Sequence, residues 1–542
     1  MSAHPPKELN DMDKAVLGDK AWPLRRNLLV LGIVMLLLAL ASSALPQTFF
    51  FGGWDRLGFA YLIGYAFALA ITLGSLFFVL VTTVFRAGWC VAFRRVPENI
   101  AANMPIMGIL ALPILALVLQ NDGSLYPWAG GKDSHTNLTI YETGKKIASH
   151  NEDLIKKAAG YDEAEAEPED DSHSAAPASD QAFEIITVAS PGEAEGKDTH
   201  ASEGHHDAAK HDGHHAEGDH HEAHHAWTYT AEHWKDHNHG VPYYVYKRGL
   251  WYTPFFFIIR WIFYIAVWSF LGWFYWKRSV TQDSDGDVQH THKREWWAPL
   301  SLVAFAVTIT LASFDLLMSL DPAWYSTMFG VYFFAGCFTA AICTMIITLM
   351  LGQKAGYFQA VTTEHFHDLG KLLFAFVFFW GYVGFSQFML IWYASFPETT
   401  YWWEIRGITS VSGDALQDAP PTFAGGWTFL AWTLLFAHLL LPFAILLSKH
   451  VKRNRTALFT MACWMLTLCY IDIYWVTMPA FASPDFIFGL PEIGCVVGCV
   501  AIMLAEALRR ASRVSLTAHR DPRMHESLAL DTTAWAPLYF KH

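Results

Sequence analysis

Apolar residues run together along this chain in ten stretches, near 27 to 45, 57 to 84, 104 to 120, 250 to 276, 297 to 320, 327 to 351, 369 to 395, 426 to 448, 457 to 480 and 485 to 508. Each approaches the length that a bilayer-crossing helix needs, roughly 20 mostly apolar residues. The pattern predicts an all-α, polytopic integral membrane protein with about ten transmembrane helices. In this reading 1–24 is a tail, 25–120 holds helices 1–3, 250–508 holds helices 4–10 and 509–542 is a second tail, while a polar insert, 121–249, separates the third run from the fourth. The first run follows Arg25 and Arg26 and ends in Ser42-Ser43-Ala44, which has the outline of a secretory signal. It exceeds the roughly 7 to 15 residues of a signal's apolar region and has a polar segment before it, so it reads as a span.

Lys and Arg in short loops mark the cytoplasmic face of a membrane protein, and here they fall in every second connection. Lys20, Arg25 and Arg26 precede the first run, Arg86, Arg94 and Arg95 join the second to the third, and Lys277, Arg278, Lys293 and Arg294 join the fourth to the fifth. Lys354 follows the sixth, Lys449, Lys452, Arg453 and Arg455 follow the eighth, and Arg509, Arg510 and Arg513 follow the tenth. The alternate connections are short, acidic or aromatic, as at Asp321 and from Glu398 to Glu404. The expected topology is therefore multi-pass in a bacterial inner membrane, with both termini cytoplasmic and the insert in the periplasm.

Composition agrees: 53% hydrophobic and 15% aromatic against 16% charged residues is too apolar for several soluble domains. The net charge of −13 is local, because the insert alone carries 25 acids, 10 Lys and Arg and 16 of the 26 histidines. Low apolar content and high charge cannot support a packed core, so the insert is expected to be disordered. Imidazoles and carboxylates bind Zn, Cu or Ni, so His205, His206, His214, His215, His220, His221, His224 and His225 could chelate weakly, and a solvated spacer is the alternative. Cys90 falls in a loop, and Cys337, Cys343, Cys463, Cys469, Cys495 and Cys499 fall inside apolar runs as small packing residues. Gly494 and Gly498 form the small-x-x-x-small step of close helix contact.

The chain has the ligands for no redox centre of its own. A b-type haem needs two facing imidazoles, and His438 is the only histidine well inside a run; there is no Cys-x-x-Cys-His, no iron–sulfur spacing, no phosphate loop and no dinucleotide fingerprint. Charge at membrane depth is costly and so marks candidate function. At about 1.5 Å per residue, Arg260 lies roughly 15 Å inside its run, Asp315 about 7 Å, Asp472 about 12 Å and Glu492 about 10 Å from the outer ends. Glu364, His365, His367, Asp368 and Lys371 cluster where the seventh run begins. These groups suggest a proton route in two halves, an inner one from His367, Asp368 and Lys371 toward His438 and an outer one through Asp472, Asp315 and Glu492. The competing reading is a neutralised polar network, with Arg260 as a charge partner and the stripe Ser301, Thr308, Asp315 and Ser319 bonded to backbone.

The segments Arg86-Ala-Gly-Trp-Cys with Arg94-Arg95, Pro254 to Arg260, Phe314 to Tyr332, and Asp368 to Trp392 followed by Pro397-Glu398-Thr399 resemble the polysulfide-reductase-like (NrfD-like) membrane subunits. Within that family they are most similar to quinone-binding subunit 2 of the quinol:cytochrome c oxidoreductase known as alternative complex III. The paralogous first subunit shares the region Ser319-Leu320-Asp321-Pro322-x-Trp324, and the insert lies outside the family pattern. The resemblance implies two four-helix bundles with two peripheral helices and quinol as a ligand. It further implies partner subunits holding haem c (multihaem and monohaem cytochromes) and iron–sulfur clusters, a paralogous quinone-binding subunit and a terminal oxidase, with proton movement coupled to quinol oxidation. The expectation is a cofactor-free subunit of such a complex, its quinone-binding residues unassigned. A divalent-metal secondary transporter and a purely structural scaffold are the rivals.

Overall fold

The structure, a computed structural model, describes residues 16–44, 53–120, 123–129, 249–322, 324–394, 397–408, 426–482 and 486–530, together with Leu9. The histidines of the insert, His205 to His225, lie outside the described residues. Among the described residues every regular element is helical, and ten helices are long and apolar enough to cross a membrane. The protein is an all-α, multi-pass membrane protein. The spans are α1 (Trp22–Ser43), α2 (Gly53–Val84), α3 (Arg95–Gln120), α4 (Pro254–Asp285), α5 (Gln289–Leu316), α6 (Phe329–Lys354), α7 (Thr363–Ala394), α8 (Gly426–Leu447), α9 (Arg455–Thr477) and α10 (Leu490–Ala511).

Helices α2 to α5 close one ring of four, each packed on the next, and α6 to α9 close a second; α2 and α6 pack along each other and join the two. Outside them α10 lies on α2, and α1 lies on α10. Lipid tails are as apolar as leucine, so close backbone approach rather than water exclusion holds such helices together. That is where the small residues sit: a Cβ on Gly494 would come 2.8 Å from the carbonyl oxygen of Met35, and one on Gly498 would come 2.6 Å from the Leu36 side chain. All seven cysteines are free thiols, six of them buried.

The third span is broken into Arg95–Ala101, Met104–Leu110 and Leu112–Gln120. Pro105 and Pro113 remove the N–H groups that would bond to residues four back, which interrupts the helix. Two helices outrun their apolar stretches: α4 continues to Asp285, where Gly286 (φ +73°) turns the chain, and α5 begins at Gln289, eight residues before its apolar run.

These extensions stay ordered because the basic end of the protein is a buried ion network. Arg94 pairs with Glu98 (3.0 Å) and with Asp521 (2.6 Å), Arg95 with Glu98 (3.3 Å) and with Asp283, and Arg294 with Glu98 (3.6 Å). Burial opposes ionisation of Asp521, but Arg94 and Arg294 outweigh it and hold the carboxyl down at about 2. Burial pushes the Cys90 thiol in the same loop up to about 11. Ser527 completes the closure: it donates to the carbonyl of Trp89 (2.8 Å), accepts from the N–H of Ala92 (3.2 Å) and bonds His365 Nε2 (3.0 Å). Residues 512–530, expected as part of a tail, are thus folded across the α2–α3 connection.

Candidate functional site

Among the described residues the charged groups at membrane depth divide into closed pairs and one carboxylate without a cation. Asp315 on α5 accepts two hydrogen bonds from Arg260 on α4, each 2.8 Å, and a third from Tyr264 (2.9 Å), one turn further along α4. The guanidinium lies over the Trp251 ring at 4.1 Å and the Phe256 ring at 4.6 Å. Arg260 is therefore a charge partner, and its acid is Asp315. Of the polar stripe on α5, Ser301, Thr308 and Ser319 each donate to a carbonyl four residues back.

Glu492 is equally closed. Its two oxygens accept from Arg56 Nε and Nη2, both at 2.8 Å, and Oε2 also accepts from the N–H of Gly489 (2.7 Å). The apolar pattern placed Glu492 about 10 Å inside a run counted from 485, but α10 starts at Leu490 with Pro491 in its first turn. Glu492 belongs to that first turn, where a carboxylate satisfies free N–H groups and the helix dipole. Arg56 lies just before the second apolar run, where the hydrophobic pattern gives no sign that it is buried.

Asp472 on α9 differs. Its described partners are neutral donors: the Tyr332 hydroxyl of α6 and the Trp380 Nε1–H of α7, the latter at 3.1 Å. The ring of Trp380 also stacks on His438 of α8, ring centroids 4.0 Å apart and planes 23° apart. His438 is fully buried, and neither of its ring nitrogens has a partner among the described residues. It sits in a π-helical stretch, Leu434–Leu440. Pro442 has no N–H to return to the His438 carbonyl, and the wider winding occupies that interval. Two residues singled out by burial of charge, Asp472 and His438, therefore converge on one indole from different helices.

Beside this cluster lies a chamber of about 570 Å³ enclosed by α6, α7, α8, α9 and the short helix Pro397–Glu404. Its walls include Trp380, Trp402, Trp403, Trp432 and Trp475, with Tyr332 and Gln387 as polar members. Phe385 and Leu435, 61% and 40% exposed, stand at its edge, so the chamber opens on the surface that faces lipid. Asp472 is behind the Tyr332–Trp380 wall, with a small cavity lined by Gly336 and Cys337 on its far side.

The chamber's roof is pinned by Arg406. Its guanidinium lies 3.5 Å over the Trp402 ring, Nη1 donates to the Trp402 carbonyl (2.9 Å) and Nη2 donates to that of Val476 (2.6 Å). Gly407 follows with φ +80°, and its carbonyl accepts from Thr428 Oγ1 at 2.8 Å. Single-residue patterns gave no signal for Tyr332, Trp380 or Arg406; the first two do stand inside the segments that carry the family resemblance.

The cluster at the start of α7 is separate. Asp368 pairs with Lys371 (2.5 Å), Glu364 with Arg453, and His365 bonds Thr362 and Ser527, while His367 is buried with Nδ1 unpartnered among the described residues. His367 and Trp380 are thirteen positions apart on α7, about 20 Å of helix, and the buried side chains Leu373 and Val377 occupy that interval. The inner residues are not brought to His438, and Asp315, Asp472 and Glu492 each have their own partners. Among the described residues no three of His, Cys, Asp and Glu gather as a metal-ligand set. No family model matches this chain, and no curated protein is significantly similar to it.

Proposed function

We propose that this chain is the quinone-facing membrane subunit of a bacterial respiratory quinol:cytochrome c oxidoreductase of the alternative complex III kind, closest to its second quinone-binding subunit. The observation that carries the reading is the aromatic chamber, open toward lipid and backed by a carboxylate whose partners among the described residues are neutral. Its size falls within the usual range for small-molecule sites, roughly 300 to 1,000 Å³, and indole walls suit a flat ring. A lipid-soluble quinol enters between Phe385 and Leu435 without crossing water. Oxidation releases two electrons and two protons from the two hydroxyls; the electrons pass to haem c or iron–sulfur centres in partner subunits, one proton goes to Asp472 through Tyr332, and the other goes to water on the periplasmic side. In the topology set by the basic connections, the chamber lies toward the periplasmic side of an inner membrane.

The test is purification from native membrane in mild detergent. Recovery with multihaem and iron–sulfur subunits, with quinol-dependent cytochrome c reduction that falls at least tenfold in Asp472→Asn, is the expected result. Recovery as a lone chain that transports zinc into liposomes would replace this reading with the transporter.

A further inference from the structure

Two buried polar atoms on the chamber wall have no protein partner among the described residues: Oε1 of Gln387 and Nε1–H of Trp403, in side chains of residues 4% and 6% exposed. Other polar groups on that wall are engaged. Tyr332 and Trp380 donate to Asp472, Thr428 Oγ1 donates to Gly407, and Trp475 Nε1 donates to the Arg406 carbonyl (3.2 Å). The two orphans are opposite in kind, one acceptor and one donor. A buried polar group left without a partner is expensive, so a matching occupant must both give and receive a hydrogen bond.

We propose that Gln387 and Trp403 form a two-point reader of ligand redox state, which selects the reduced, hydroxylated ring over its oxidised form. A quinol hydroxyl donates to Gln387 Oε1 while a quinol oxygen accepts from Trp403 Nε1–H. A quinone accepts from Trp403 equally well, but it carries no hydrogen to give, so with the Gln387 amide held as it stands in the structure its Oε1 stays unsatisfied. The bias therefore comes from Gln387 alone, and Trp403 adds affinity to both forms. Such a bias lets product leave against substrate waiting in the same bilayer. The inference rests on the chamber being the quinol site.

The full chain in lipid nanodiscs, held under anaerobic conditions, separates these ideas with menadiol and menadione as probes and equilibrium dialysis as the readout. Wild type is expected to bind menadiol about tenfold more tightly, the low end of what an unsatisfied buried acceptor costs. Gln387→Leu should bring the ratio close to one, and Trp403→Phe should weaken both probes by a similar factor while keeping the ratio. Equal binding of the two probes by wild type would overturn the redox reader and leave the chamber as a quinone site. A ratio that persists in Gln387→Leu would also overturn it. Failure of both probes to bind wild type would overturn the chamber reading itself.

Discussion

Asparagine at 315 and asparagine at 472 remove the same charge from two buried carboxylates, and the geometry predicts different outcomes. Asp315→Asn leaves Arg260, itself buried, without its counter-ion and with one acceptor oxygen in place of two. Removing one partner of a buried pair costs about 3–5 kcal/mol. The Trp251 and Phe256 rings do not offset this, because they already face the guanidinium in the native protein. Asp472→Asn strands no cation. Its amide oxygen still accepts from Tyr332 or Trp380 and one hydrogen bond is lost, roughly 1–3 kcal/mol. Six buried thiols report unfolding directly through a thiol-reactive fluorophore during a thermal ramp. Asp315→Asn should unfold well below wild type, Asp472→Asn within a few degrees of it, and Arg260→Gln combined with Asp315→Asn should recover part of the loss, as expected for coupled sites. A double variant no more stable than Asp315→Asn alone, or an Asp315→Asn protein as stable as wild type, would refute the closed-pair reasoning.

Glu492→Gln removes the carboxylate that takes two hydrogen bonds from Arg56 and weakens the first turn of α10, so a lower unfolding temperature than wild type is expected in the same assay. Gly407→Ala puts a side chain on a residue at φ +80° and a Cβ 2.3 Å from the Thr428 nitrogen, which should distort the roof and cut menadiol affinity at least tenfold in dialysis while the ten spans remain intact by circular dichroism. The Arg94–Asp521 pair sets a pH window. Because the folded carboxyl sits near 2 rather than 3.8, its contribution of roughly 2 kcal/mol is present above pH 4 and lost as pH falls toward 2. Pepsin should therefore clip residues 512–530 in wild type at pH 2 but not at pH 4, and should clip Asp521→Asn at both; equal protection of the two proteins at pH 4 would refute the role of the pair.

The spans were legible because a bilayer imposes one length and one polarity on every crossing helix, and that constraint is written residue by residue. Helix ends were not: Gln289 to Trp296 is polar enough to read as loop, yet it stays helical because Arg294 and its neighbours are buried against Glu98 and the 512–530 segment. Arg260 stood out as a charge partner because it is a charge well inside an apolar run; that its acid is Asp315, which the runs put at a different depth, follows from the packing of α4 on α5. Depth also marked Asp472 and His438. What brings them together is Trp380, one of 23 tryptophans with nothing in its local pattern to distinguish it, and Tyr332, 140 residues from Asp472. The chamber likewise assembles from five helices between 332 and 475, and no periodicity encodes which faces of those helices meet.

The Ser527 closure has a consequence for biogenesis. The first basic loop, made early in synthesis, obtains the Asp521 partner of Arg94 and the Ser527 partner of Ala92 and Trp89 from residues 512–530, made more than 400 residues later. Membrane insertion of all ten spans can therefore finish while that loop is still open to quality-control proteases. A nascent chain released before residue 521 would carry every hydrophobic segment it needs and still be recognisable as unfinished.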